Sequence, residues 1–269
     1  MAAPARLIGH FQERVDVLIY IVKRLRSAGS GKGFLSVHGD YSRRIHATTN
    51  TPLYSAKGCG RGYDVVVLGL HGFDAYGLDI SSTGVAAAER EVRIDGAAAA
   101  TGIYDYGDEN HHNNNGGPLR APSLSPGSAT FTQGDFFKSD WVNKALEDEE
   151  AKFDVIYDYT FLCALHPSMR QGWATRMADL LRSGGLLVCL EFPMYKDPTL
   201  PGPPWGLKGV HWDLLARGGD GTANIDMEAE SKADDDKLGG QFERILYVKP
   251  PRSYESGKGT DMLSVYVRK

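Results

Sequence analysis

Lys57-Gly58-Cys59-Gly60-Arg61-Gly62-Tyr63-Asp64-Val65, followed by Ala75-Tyr76-Gly77-Leu78-Asp79-Ile80, is the stretch on which the reading of this chain turns. Glycines on alternate positions allow a tight turn from a strand into a helix and leave backbone amides bare above the strand end. An Asp about twenty residues on, after a short apolar run, falls at the tip of the next strand, where a carboxylate can accept both hydroxyls of a ribose. The two features together describe half of a nucleoside site on a parallel sheet.

The glycine spacing also discriminates between ligands. A dinucleotide fingerprint is Gly-x-Gly-x-x-Gly, with a pyrophosphate on the helix N-terminus. Gly58, Gly60 and Gly62 give Gly-x-Gly-x-Gly instead, with Tyr63 where the third dinucleotide glycine belongs. That suits S-adenosyl-L-methionine, which has no phosphate to cradle, and argues against a dinucleotide oxidoreductase.

Outward from this stretch, the pattern alternates strands and helices. Residues 63–70 read as the first crossover helix and 73–79 as the second strand, with Ser81 or Ser82 capping a helix over 83–93. Residues 129–132 lead into Gly134-Asp135-Phe136-Phe137, a strand end and turn, and a helix capped by Ser139 or Asp140 runs to Ala151. Phe153-Asp154-Val155-Ile156-Tyr157 is the clearest buried strand and delivers Asp158-Tyr159-Thr160 to its carboxyl end. Pro167 opens a helix to Arg182 that Gly184-Gly185 stops, with His166 as its cap. Residues 186–190 form another apolar strand, and 242–248 with 262–267 an antiparallel hairpin. Between them, residues 191–205 carry five prolines and make a stiff aromatic loop above the strand ends.

This is an α/β chain with a mostly parallel sheet, helices on both faces and an antiparallel C-terminal pair. It divides into residues 1–57, atypical and carrying an amphipathic helix over 13–26, and one domain over 58–269. That domain holds polar insertions near 95–128 and 218–240. One expected feature is missing. The strand that feeds the glycine turn should be a run of Val, Ile and Leu, yet Pro52-Leu53-Tyr54-Ser55-Ala56-Lys57 stands there.

Composition narrows the partners. A net charge of -4 over 269 residues argues against a nucleic-acid surface. Residues 1–50 nevertheless hold eight Lys/Arg against three Asp/Glu. Cys59, Cys163 and Cys189 are too few and scattered for a disulfide framework or zinc site, so a reducing, cytoplasmic location is expected. No apolar run approaches the ~20 residues of a membrane span. His111 and His112, in a polar loop, read as solvated rather than metal-binding. A monomer acting on a small molecule is the simplest expectation.

With Gly58-Cys59-Gly60-Arg61-Gly62-Tyr63-Asp64, Gly77-Leu78-Asp79-Ile80-Ser81, Gly134-Asp135-Phe136-Phe137, 153–164 and Phe192-Pro193 in view, the chain resembles the thiopurine S-methyltransferase family, and within it the fungal and plant thiol or halide methyltransferases. The resemblance implies a class I, Rossmann-like S-adenosylmethionine-dependent methyltransferase of a small thiol. It implies that Gly58 and Gly60 pass the methionine part of the cofactor, Asp79 holds the ribose, Asp135 and Phe136 bracket the adenine, and Tyr159 lies near the reacting centre. Asp158 and Tyr159 are the candidates for assisting thiol deprotonation, with His166 the remaining titratable group near that strand tip and read first as a helix cap, while Phe161, Pro193, Tyr195 and Trp205 would shape the acceptor pocket. The likeness runs from about Gly58 to the C-terminus, and residues 1–57 do not share it. The thiol and halide enzymes carry tryptophans before the glycine turn, whereas the four here stand at 141, 173, 205 and 212. An O-methyltransferase of a secondary metabolite and a catalytically impaired paralogue with a defective N-terminal lid are the alternatives.

Overall fold

The structure, a computed structural model, describes residues 46–50, 62, 64, 65, 68, 74–90, 128–146, 152–222, 239–250, 257 and 259–269. The expected helix over 13–26, Gly58, Gly60, both histidines of 111–112 and most of the two insertions lie outside these residues.

Seven strands form one sheet: β1 (His46–Asn50), β2 (Asp74–Asp79), β3 (Ala129–Gln133), β4 (Phe153–Tyr159), β5 (Leu181–Glu191), β6 (Phe242–Val248) and β7 (Met262–Arg268). Their order across the sheet is β3-β2-β1-β4-β5-β7-β6. The first five pair in parallel, and β7 runs antiparallel between β5 and β6. The chain moves one way from β1 to β3 and the other way from β4 onward. The strand order therefore reverses at the β1–β4 boundary, and the crevice above their carboxyl ends is where such a sheet takes a ligand.

The first strand is displaced from its expected place. It lies at His46–Asn50, upstream of the boundary drawn at residue 57, and pairs with both neighbours, Thr48 opposite Tyr76 of β2 and Ile156 of β4. Two threonines, β-branched and at home in a strand, stand where an aliphatic run was sought. Strand β5 also begins five residues early, at Leu181. Its exposed residues 182–184 loop out, with Gly184 at φ 73, as the partner register jumps from Phe153↔Leu181 to Val155↔Leu186. The preceding helix accordingly stops at Leu180 and not at Arg182.

Both faces of the sheet are covered. Leu78, Ile156, Leu187 and Cys189 point to one face, under α2 (Asp140–Leu146) and α3 (Arg170–Leu180). Ala75, Tyr157, Leu186, Val188 and Leu190 point to the other, where Val65 and Leu68 of a helical segment pack. Alternation along β4 and β5 thus buries apolar side chains on both sides, the pattern of central parallel strands. Trp141, Trp173, Phe153 and Phe161 are fully enclosed on the first face. Truncating any one to Ala is expected to cost about 3–5 kcal/mol.

Candidate active site

At the tip of β2, Asp79 is only 2% exposed. Its Oδ1 accepts the amide of Ser81 at 2.8 Å, which sets the carboxylate at the start of α1 (residues 82–90). Ser81 caps that helix, its Oγ accepting from the Gly84 amide at 3.3 Å. Gly84 makes the room: a Cβ there would stand 2.6 Å from Asp79 Oδ2. Close approach is also why position 62 is glycine, with φ 70 and Phe131 ring atoms 2.5 Å from where a Cβ would be.

The β3 tip is tied to the β2 tip, because the Gly134 amide donates to the Asp79 carbonyl at 2.9 Å. Asp135 then closes a turn on itself, Oδ1 accepting from Phe137 N at 3.0 Å. The two aromatic rings of the turn diverge. Phe136 is buried, edge-on to Phe161 at 4.9 Å, whereas Phe137 is 37% exposed.

The β4 tip turns sharply. Thr160 adopts φ 63, a left-handed conformation that a β-branched residue occupies at a cost of about 1–3 kcal/mol, and such positions cluster at functional sites. Asp158, two residues before it in β4, holds this turn. Its carboxyl is buried on the α3 side of the sheet, accepts Trp173 Nε1 at 3.0 Å and is bonded by the amides of Phe161 and Leu162. Desolvation outweighs these bonds and pushes its pKa up to about 7. Tyr159 points to the opposite face, half-buried, 6.3 Å from the Phe192 ring, which in turn meets Tyr195 at 6.2 Å. The two residues named together as candidates for deprotonation are therefore on opposite faces of one strand.

The aromatic loop after β5 folds back over the β4–α3 connection. Trp205 N donates to Cys163 O at 2.7 Å, the Trp205 ring meets His166 edge-on at 5.3 Å, and Leu207 N donates to Pro193 O at 3.1 Å. Lys196 cross-braces the loop from inside, its Nζ donating to Pro201 O and Pro204 O. Tyr195 is left 59% exposed, Trp205 partly covered and Phe161 wholly enclosed beneath. Of the pocket candidates, Tyr195 and Trp205 thus offer accessible surface and Pro193 shapes the loop, while Phe161 acts through Phe136. His166 does cap its helix, Nδ1 accepting from Ser168 N at 3.3 Å.

Several residues here escaped the sequence reading. A second polar group lies buried beneath the strand tips: Ser264 Oγ donates to Glu191 Oε1 at 2.6 Å, and His211 Nδ1 stands 3.7 Å from Glu191 Oε2, beyond hydrogen-bond reach. Burial first, and the Arg170 cation second, hold the His211 imidazole down to about 3, so it is neutral. Desolvation likewise pushes the Cys163 thiol up to about 12 and Cys189 well above its ordinary value, leaving both as inert core thiols. Arg170, Trp173 and Arg176 of α3 were also missed. The spacing Arg170-Trp173-Met177 placed Arg170 on the buried stripe of the helix and was the available signal. Among the described residues, no group of three or more His, Cys, Asp or Glu is arranged for a metal, and no helix is long and apolar enough to cross a membrane.

The tips of β2, β3 and β4 thus present, in order, a carboxylate, a polar turn bearing an aromatic, and a second aromatic. The model of the thiopurine S-methyltransferase family matches residues 52–219. The probable thiol methyltransferase 2 of Arabidopsis thaliana is 31% identical over 173 residues, 64% of this chain and 60% of that protein. Thiocyanate methyltransferase 1 of the same plant is 31% identical over 163 residues, 59% and 54%. The chain thus spans about three-fifths or less of the length of these relatives. In fold it is similar to CalS10, an amino pentose methyltransferase from Micromonospora echinaspora, with TM-score 0.53, 13% identity and coverage of 100% of this chain and 99% of that one. It is also similar to magnesium protoporphyrin IX methyltransferase of Synechocystis, with TM-score 0.50, 14% identity and coverage of 97% and 84%. The architecture is that of the class I, Rossmann-like methyltransferases.

Proposed function

The chain belongs to the thiopurine S-methyltransferase family, and from that premise we propose that it transfers a methyl group from S-adenosylmethionine to a small thiol. The observation that carries the reading is Asp79, a buried carboxylate at the β2 tip, one strand from the reversal of strand order and one crossover downstream of Gly62. The described residues fit an adenosyl group. Asp79 is an acceptor pair for the ribose hydroxyls, the Asp135 turn offers a polar edge with an aromatic beside it for the adenine, and Gly58 and Gly60 are assigned to the methionine part.

When bound, the sulfonium supplies an electrophilic methyl group; the chain's own residues position the acceptor in line with it and exclude water. Tyr159 is assigned to the reacting centre, its phenol orienting the attacking sulfur. Pro193, Tyr195 and Trp205 would wall the acceptor, with Phe161 supporting Phe136 from beneath. Asp158 would act through its neighbours, by fixing the Thr160 turn that presents Tyr159, because its carboxyl faces the core. A thiol suits such a site. Its pKa near 8.5 lets the proton leave to water unaided, whereas a hydroxyl acceptor needs a base. Asp158 and His166, the other titratable candidates at this tip, are engaged in the core and in a helix cap. Cytoplasmic residence as a monomer, in secondary metabolism, completes the reading; the unpaired state of Cys163 and Cys189 supports a reducing location.

Equilibrium dialysis against S-adenosylmethionine tests the cofactor assignment. Saturable binding that Asp79→Ala weakens is the expected result; an impaired paralogue shows none.

A further inference from the structure

We propose that α3 is the positioning strut of the site, with Arg176, Trp173 and Arg170, three residues apart, each fixing one of the loops that leave β3, β4 and β5. The inference rests on the methyltransferase reading above and assigns to this helix the spacing between the cofactor side and the acceptor side.

Arg176 grips the β3 turn. Its Nε donates to Phe136 O at 3.0 Å, Nη2 to Lys138 O at 2.6 Å and Nη1 to Ser139 Oγ at 3.4 Å, with the guanidinium 6.0 Å from the Trp141 ring centre. One planar fork thereby sets the backbone on both sides of Phe137. Trp173, fully buried, reaches the β4 tip through Asp158 and so the amides of Phe161 and Leu162. Arg170, 1% exposed, gives Nη2 to Gly206 O at 3.2 Å in the aromatic loop after β5, and Nη1 to Gly221 O at 2.5 Å. Gly221 is fixed a second time, its amide donating to Asp213 Oδ2 at 2.8 Å.

The donors' destinations argue for positioning over bulk stability. Among the described residues, neither arginine has a carboxylate within salt-bridge distance: Asp220 attracts Arg170 and Asp179 attracts Arg176 only from farther off, and the hydrogen bonds of both go to loop carbonyls and one hydroxyl. A buried guanidinium with no carboxylate hydrogen-bonded to it is costly, and Asp220, acting through space, offsets only part of that cost at 170. What the arginine provides and an aliphatic side chain cannot is a fixed distance from the helix to two separate loop carbonyls. The three arms also reach different loops, so their losses are separable.

The test measures S-adenosylhomocysteine affinity by calorimetry, KM for thiophenol and kcat, with hydrogen exchange of peptides covering 134–139 and 200–208. Arg176→Gln is expected to weaken S-adenosylhomocysteine about tenfold and speed exchange in 134–139, with the thiophenol KM changed less than about twofold. Arg170→Gln should do the reverse, raising the thiophenol KM about tenfold and loosening 200–208. Trp173→Phe, which keeps an aromatic ring but loses the indole donor, should lower kcat with both affinities held within about twofold. Arg176→Lys and Arg170→Lys keep the cation without the fork and should give the same directions at smaller size, which covers the case of a glutamine variant that does not fold. Variants that shift both affinities alike, or leave exchange in the two loops unchanged, would overturn the strut alone. Absence of S-adenosylhomocysteine binding in the unmodified chain would overturn the cofactor reading, and the strut with it.

Discussion

Asp158→Asn should turn a stability that is nearly independent of pH from about 4 to 6.5 into one that rises with pH. The carboxyl has a folded pKa of about 7, raised chiefly by burial, against roughly 3.9 for an unfolded Asp. Between those values the native state binds a proton that the unfolded state has lost, so stability falls as pH rises. At 1.36 kcal/mol per unit, ionisation of Asp158 costs on the order of 4 kcal/mol by pH 8. His211 has the opposite sign. Its folded value, about 3, lies below the unfolded ~6.5, so it weakens the fold at low pH and its penalty vanishes as pH rises to 6.5. The two slopes nearly cancel from pH 4 to 6.5, and only the Asp158 decline continues above. Asparagine keeps an acceptor for Trp173 Nε1 and removes the ionisation. Urea unfolding of both proteins from pH 4 to 8 should show the variant gaining on the wild type by about 1.4 kcal/mol per unit up to pH 7. A stability difference that stays flat across this range would show that Asp158 is not a desolvated carboxyl.

Three further outcomes follow from the cofactor side and the β4 tip. Asp79→Ala should weaken S-adenosylmethionine binding by about 1.5–3 kcal/mol with the fold intact, since charge-assisted bonds to the ribose are lost; unchanged affinity by calorimetry would remove this carboxylate from the site. Gly84→Ala places a methyl 2.6 Å from Asp79 Oδ2, so affinity should fall about tenfold while the better helix former holds or raises Tm; a fall in Tm with affinity preserved would contradict it. Tyr159→Phe should lower kcat about tenfold with cofactor affinity nearly unchanged, and an unaltered kcat would move the reacting centre away from this phenol.

Strand β4, the later part of β5 and the terminal hairpin were legible because burial on both faces leaves aliphatic runs, as in Leu186 to Leu190. Asp79 was legible as well, since a strand tip at a fixed distance from a glycine turn is a local pattern. Strand β1 was not. His46–Asn50 carries no aliphatic residue beyond Ala47, and it is a strand because β2 and β4 flank it, a fact of topology rather than periodicity. The early start of β5 was hidden for a related reason: Gly184-Gly185 reads as a helix stop, while the helix had already ended and the glycines serve a strand irregularity. Side-chain direction was the harder loss. Asp158 and Tyr159 are adjacent in sequence, and the period of two along a strand sends them to opposite faces. The Glu191, His211 and Ser264 group comes from β5, the turn Val210–Trp212 and β7, so nothing local in the sequence announces it.

Incubation of the protein with methyl-labelled S-adenosylmethionine and thiophenol, with both products followed, decides whether the chain is a thiol methyltransferase. A thiol methyltransferase yields labelled methyl thioether and S-adenosylhomocysteine in equal amounts, with formation rising with pH as the thiol ionises and reduced, at limiting cofactor, in the Asp79→Ala variant. Binding of S-adenosylmethionine with no transfer to any of a panel of small thiols, or transfer to a phenol hydroxyl in preference to the matching thiol, would contradict it.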